Sequence, residues 1–161
     1  MVYYLQINGG AKMHFTTLFI LKGEKLENLS HSEIENMFFE RYCYGCGENT
    51  PKYMSWCDWF QIGGRWCDIL QAKKGIHCTR SFPNEDMPTI KNEFSIVQIS
   101  DLTAPLPRVN LYSIATKSRM YVKENDWQDG AIVDEKKFNK FLDDIDNKVF
   151  DGVIAVIDCH G

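Results

Sequence analysis

No run of apolar residues in this chain approaches the ~18 that a helix needs to cross a bilayer, so no membrane partner is expected. No basic region precedes Val2-Tyr3-Tyr4-Leu5-Gln6-Ile7 and no small-residue cleavage site follows it. A secretory leader is therefore not expected, and the chain reads as cytoplasmic. Basic charge is in deficit: 18 Lys and Arg stand against 22 Asp and Glu, a net charge of −4. Duplex nucleic acid is held through many Lys and Arg contacts to phosphate, so this balance speaks against a duplex partner and against a basic membrane-surface protein. A small anionic ligand stays open, because one or two well-placed donors hold a phosphate even in an acidic protein. Proline is scarce, at 5 residues in 161, and no repeat, low-complexity tract or linker divides the sequence. One α+β domain over residues 1–161 is expected, long enough to bury roughly 70% of its unfolded surface without a staple.

A second Cys-x-x-Cys is also missing. Cys43-Tyr44-Gly45-Cys46-Gly47 has the spacing and trailing glycine of half a zinc knuckle. Cys57, Cys67, His77 and Cys78 offer completing ligands, at spacings that match no standard zinc pattern. With no export signal in view, reduced and partly buried thiols are the better reading of the six cysteines. A structural zinc at Cys43 and Cys46 is the alternative, and no other cofactor is indicated.

What is present is pattern. Val2 to Ile7 reads as a strand, Asn8-Gly9-Gly10 as a turn, and Met13, Phe15, Thr17, Phe19 and Leu21 alternate along a second strand. Ser30 and Glu33 form a capping box ahead of Ile34, Met37, Phe38 and Tyr42, which predicts a helix over 31–42. Trp56 to Ile62 and Arg65 to Leu70 read as two short strands joined by a primed turn at Gly63-Gly64. Arg80 to Asn92 reads as a loop and Phe94 to Ile99 as a strand. Val109 to Thr116 with Met120 to Lys123 suggests another hairpin. Asp134 caps a second helix carrying Phe138, Phe141, Leu142 and Ile145, and Val153 to Ile157, apolar on both faces, is expected to be a central strand. The sum is a mostly antiparallel sheet of six to eight strands with two main helices packed on it.

The densest chemistry lies between Trp56 and Trp66, where three tryptophans accompany Asp58, Gly63, Gly64 and Arg65. A double-glycine turn lets backbone approach a ligand, and its amides form a small anion-binding concavity. Arg65 can clamp a phosphate or carboxylate with two parallel hydrogen bonds, and Trp56, Trp59 or Trp66 can stack on a base. Trp56, Asp58, Trp59, Gly63, Gly64, Arg65 and Trp66 are thus the candidate ligand-binding residues. The competing reading is a core hairpin with Arg65 paired to Asp58 or Asp68.

Asp58-Trp59-Phe60-Gln61-Ile62-Gly63-Gly64-Arg65-Trp66 resembles a motif of small proteins from phages and mobile elements. These also tend to end in a strand similar to Val156-Ile157-Asp158-Cys159-His160, after a lone tryptophan placed as Trp127 is. The Cys43–Gly47 insertion and the cysteines at 57 and 67 depart from the motif. No activity is assigned to the group, so the resemblance implies a setting and no catalytic residues. That setting is the cytoplasm of a host cell and a counter-defence role.

Asp158 and His160 share one face of the last strand. With His77 or Asp58 they suggest a divalent-metal site that activates water for phosphodiester hydrolysis, although polar residues also occur wherever a buried strand emerges. His14 and His31 read as surface or satisfied core. Asp126, Asp129, Asp134, Asp143, Asp144 and Asp146 make either a solvated helix face or an acidic patch that docks on a basic protein. The leading reading is binding of a nucleotide or similar phosphate-bearing ligand without catalysis. The alternatives are an inhibitor that binds a host defence complex, for example a CRISPR effector, and a small metal-dependent hydrolase.

Overall fold

A computed structural model describes residues 14–43, 57, 59–77, 93–109, 111–124 and 131–160. In chain order the elements are β1 (His14–Lys22), α1 (His31–Tyr42), β2 (Trp59–Ile62), β3 (Leu70–Gln71), β4 (Ile76–His77), β5 (Glu93–Gln98), β6 (Ser113–Ala115), β7 (Met120–Val122), β8 (Ile132–Val133), α2 (Glu135–Asp146) and β9 (Gly152–His160). Among the described residues they form an α+β fold: one nine-stranded, mixed but mostly antiparallel sheet with two helices packed on it. The strand total exceeds the expected six to eight, because β3, β4 and β8 are two-residue strands with no alternation to read. The expected strand at Val2–Ile7, the turn after it and the Arg80–Asn92 loop lie outside the described residues.

Strand β9 is central because it is apolar on both faces: all of Gly152 to Cys159 is buried. Its whole length pairs antiparallel with β1, from His14 opposite His160 to Lys22 opposite Gly152. Alternation then sorts the core into two layers. Phe15, Phe19, Leu21, Ala155 and Ile157 face α1 through Ile34, Phe38 and Tyr42. Leu18, Ile20, Ile154 and Val156 face α2 through Phe138, Leu142 and Ile145.

Both helices begin where their caps dictate. The Ser30 side chain accepts from the Glu33 amide at 3.1 Å, and the Glu33 carboxylate accepts from the Ser30 amide at 2.7 Å. Asp134 accepts from the Lys137 amide at 2.9 Å. Ser30→Ala is expected to lower stability by about 1 kcal/mol in urea unfolding, since a lost cap strands an amide of the first turn. The Tyr42 hydroxyl donates to the Thr116 carbonyl, tying the end of α1 to the β6–β7 turn, and burial pushes its pKa well above the usual tyrosine value.

Asp151 closes the turn into β9, accepting from the Gly152 amide at 2.9 Å and the Ser100 amide at 3.1 Å. Desolvation acts to raise its pKa, but hydrogen bonds from Gly152, Gln98 and Ser100 hold it below the ordinary 3.8. A carboxylate with a depressed folded-state pKa adds stability above its unfolded pKa and loses it as pH falls through the folded one. Asp151→Asn should therefore lower the unfolding midpoint at neutral pH. The gap to wild type should close as pH drops below the ordinary value, as a melting series across acid pH would show.

Candidate functional site

The site follows from how β9 shares its edges. One edge belongs to β1 throughout, so β5 and β2 must divide the other: β5 takes Val153–Ala155 and β2 takes Ile157–His160. Between those stretches the Gly63 amide donates to the Val156 carbonyl at 2.8 Å, and the chain leaves β2 into a 3-10 turn over Gly64–Trp66. Gly63 and Gly64 have φ of +85° and +55°, the left-handed region that side chains other than glycine enter at a cost.

That turn lies on Asp158. The Arg65 amide donates to Asp158 Oδ2 at 3.0 Å, and an alanine Cβ at Gly64 would fall 2.4 Å from the same oxygen. The other carboxylate oxygen accepts from His14 Nδ1 at 3.0 Å. Asp158 is 2% exposed, so its carboxylate accepts both bonds with little competition from water. With the Asp158 carboxylate as acceptor, Nδ1 of His14 is the donor in this bond, and Nε2 is the ring nitrogen outside it.

Register aligns the neighbours on the same face. His14, His160 and Trp59 are directly opposite one another across β1, β9 and β2, and Thr16, Asp158 and Gln61 form the next row inward. The His14 ring meets His160 edge-on at 4.9 Å between centroids and Trp59 at 6.2 Å. Trp59 is 48% exposed, the His14 side chain 20%, and Arg65 is exposed. The guanidinium of Arg65 has no hydrogen-bond or ion-pair partner among the described residues. Two buried polar atoms on this side of the sheet, Thr16 Oγ1 and Trp66 Nε1, also lack a partner there. The arrangement offers one indole face and two imidazoles near a buried carboxylate, with Arg65 exposed on the adjoining turn.

Trp59, Gly63, Gly64, Arg65, Asp158 and His160 thus come together, although the two strings that contain them are far apart in sequence. Trp56 and Asp58 lie outside the described residues. The expected Gly63-Gly64 hairpin does not form: β2 pairs with β9, and the segment after the glycines is a 3-10 turn. The glycines are needed for the approach to Asp158 and for positive φ, not for strand reversal. The amide concavity is also spoken for, since the Arg65 N–H is spent on Asp158. Trp66 is 9% exposed and packs with Leu18 and Val156 in the α2-side core, so stacking on a ligand falls to Trp59.

Of the two third ligands of the metal reading, Asp58 lies outside the described residues and His77 is on β4, with its ring 4.6 Å from Phe94; among the described residues no group of three His, Cys, Asp or Glu is placed to hold a metal. Cys43 caps the end of α1 and forms a β-bridge with Cys57; both are buried, as is Cys159. Cys46 and Cys78 lie outside the described residues. Cys67 is disulfide-bonded, which corrects the expectation of reduced thiols at that position and removes it as a metal ligand.

The acidic helix face is largely neutralised within the fold. Arg108 pairs with Asp143 at 2.9 Å and Asp146 at 2.7 Å, Lys140 pairs with Asp144 at 2.8 Å, and Asp134 is the cap of α2. Asp126 and Asp129 are not among the described residues. A cleft of about 520 Å³ opens at the opposite end of the sheet, lined in part by Lys25, Leu26, Lys74, Ile76 and Gln98. Its central amide is already engaged: Gln98 accepts from the Leu26 amide at 2.8 Å and donates to the Glu24 carbonyl at 2.9 Å.

Sequence reasoning missed His14, whose alternating strand marked it only as surface or core. Its partnership with Asp158 depends on the β1–β9 register, which no local pattern reveals. Compared with protein-family models, with curated proteins and with solved structures, the chain matches none.

Proposed function

We propose that the end of the sheet formed by Trp59, Arg65 and His14 binds a nucleotide-type, phosphate-bearing ligand, and that a phage or mobile element uses this binding to counter a host defence. The observation that carries the binding reading is the meeting of the two strings at Asp158. One buried carboxylate fixes both the Arg65 backbone and the His14 ring, while the cation and the Trp59 indole stay exposed. Stacking on an aromatic face and charge-assisted bonds to phosphate are the two contacts a nucleotide needs. The counter-defence role rests on the resemblance of those strings to phage and mobile-element proteins. Docking on a host protein through the acidic helix is less favoured, because Arg108 and Lys140 already pair with Asp143, Asp144 and Asp146.

The test is a thermal-shift series with mononucleotides, cyclic dinucleotides and short single-stranded oligonucleotides. A ligand at ~100 times its Kd adds about 2.7 kcal/mol to the folded state. For a chain of this size that raises Tm by roughly 5–10 °C. Trp59→Ala should weaken binding about 5- to 150-fold, matching ~1–3 kcal/mol of stacking. Arg65→Ala should abolish the shift at the same ligand concentration, with the unliganded Tm unchanged. Shifts of equal size in wild type and both variants would rule out this site.

A further inference from the structure

We infer that the same site cleaves single-stranded RNA without a metal, with His14 as general base and the substrate's own 2′-hydroxyl as nucleophile. This adds a reaction to a site read above as binding only, and it rests on that binding reading. His14 has the geometry of an oriented base: its Nδ1–H is held by the buried Asp158 carboxylate at 3.0 Å, which leaves the Nε2 lone pair for a proton on a bound ligand. Asp158 acts through His14 as a positioning residue. Its second oxygen, bonded to the Arg65 amide at 3.0 Å, ties the base and the exposed cation to one anchor.

The groups around His14 among the described residues favour a substrate that carries its own nucleophile. Among the described residues His14 meets no hydroxyl or thiol at hydrogen-bond distance; its contacts are Asp158 and the rings of Trp59 and His160. No set of three metal ligands among those residues is available to activate water. A ribose phosphodiester brings its own nucleophile beside the phosphate, and Trp59 supplies a face for the base. The deficit of basic residues disfavours a duplex and leaves a single strand.

The step balances with these groups alone. His14 Nε2 takes the proton of the 2′-hydroxyl as the 2′-oxygen forms its bond to phosphorus. The bond from phosphorus to the 5′-oxygen then breaks, and its electron pair leaves with that oxygen, which takes a proton from solvent. The imidazolium returns its proton to solvent. The products are a 2′,3′-cyclic phosphate and a 5′-hydroxyl end, with no oxidant, reductant or cosubstrate consumed. Arg65 stabilises the charge on the phosphoryl oxygens as the new bond forms.

The experiment incubates the full chain, in the presence of EDTA, with an end-labelled single-stranded oligoribonucleotide and its all-deoxy counterpart. Binding is read by fluorescence anisotropy and cleavage by mass spectrometry. Both strands should bind with comparable affinity, and only the ribo strand should be cut, giving cyclic-phosphate ends. His14→Gln should slow cleavage about 100-fold or more at strand concentrations that saturate the variant, as the anisotropy titration establishes. Asp158→Asn should slow it as well and move the His14 proton from Nδ1 to Nε2, seen in nitrogen NMR of the ring. That tautomer change distinguishes positioning from loss of fold, and the His14 variant decides the matter if the Asp158 variant does not fold. Bound but intact RNA overturns the reaction and spares the binding proposal, whereas no binding of either strand overturns both. Cutting of the deoxy strand, or undiminished cutting by His14→Gln, also overturns it.

Discussion

Gly64→Ala is expected to destabilise the fold by about 2–5 kcal/mol, the sum of a side chain forced into the left-handed region and of overpacking in a closed site. The added carbon would stand 2.4 Å from Asp158 Oδ2 and 2.6 Å from Asp158 Cβ, and neither atom has room to retreat on a buried central strand. Gly23 is the matched control, because its φ is +80° but a Cβ there meets nothing within 4 Å. Gly23→Ala should therefore carry only the backbone part, about 1–2 kcal/mol. Urea unfolding of the two variants beside wild type makes the comparison. Equal losses would mean that the close approach to Asp158 contributes nothing.

The second large effect is expected at Asp158 itself. Asp158→Ala leaves the Arg65 amide and His14 Nδ1 without their acceptor in a buried position, and each stranded donor costs about 1–3 kcal/mol. The combined loss should be roughly 2–6 kcal/mol, larger than for Asp158→Asn, whose amide still offers one acceptor oxygen. The two positions should also be coupled. Asp158→Ala removes the clash of the position-64 Cβ with the carboxylate but keeps the Asp158 Cβ 2.6 Å away, so the relief is partial and the double variant should be less damaged than the sum of the singles, by about 0.5–3 kcal/mol. Strict additivity in a double-mutant cycle would show that the turn and the carboxylate do not act on each other.

Much of the fold could be read locally. The capping box at Ser30 and Glu33 set the start of α1, Asp134 set the start of α2, and the apolar run through Val153–Ile157 marked the central strand. These signals are local because a cap or an alternating face is written within a few residues. The candidate site was only half legible. The string around Gly63-Gly64-Arg65 drew attention to the right residues for a partly wrong reason: a double glycine commonly means a hairpin, whereas here Gly64 answers to a carboxylate on a distant strand. Trp59 and Trp66 looked equivalent on paper, and only the 3-10 turn after β2 buries one and leaves the other in solvent. His14 carried no signal of its own, since its role depends on being opposite His160 and one row from Asp158. Long-range register is what the local patterns leave open.

Ligand should bind at the end of the sheet that carries Trp59, Arg65 and His14. The most direct measurement is an NMR titration of the labelled protein with a short single-stranded oligoribonucleotide, following the Trp59 indole, the Arg65 amide and guanidinium, and the His14 and His160 rings. Saturable shifts are expected in those signals, with Lys25, Lys74 and Gln98 at the opposite cleft unmoved. Shifts confined to that cleft, or none at the Trp59 and His14 rings at saturation, would contradict binding there.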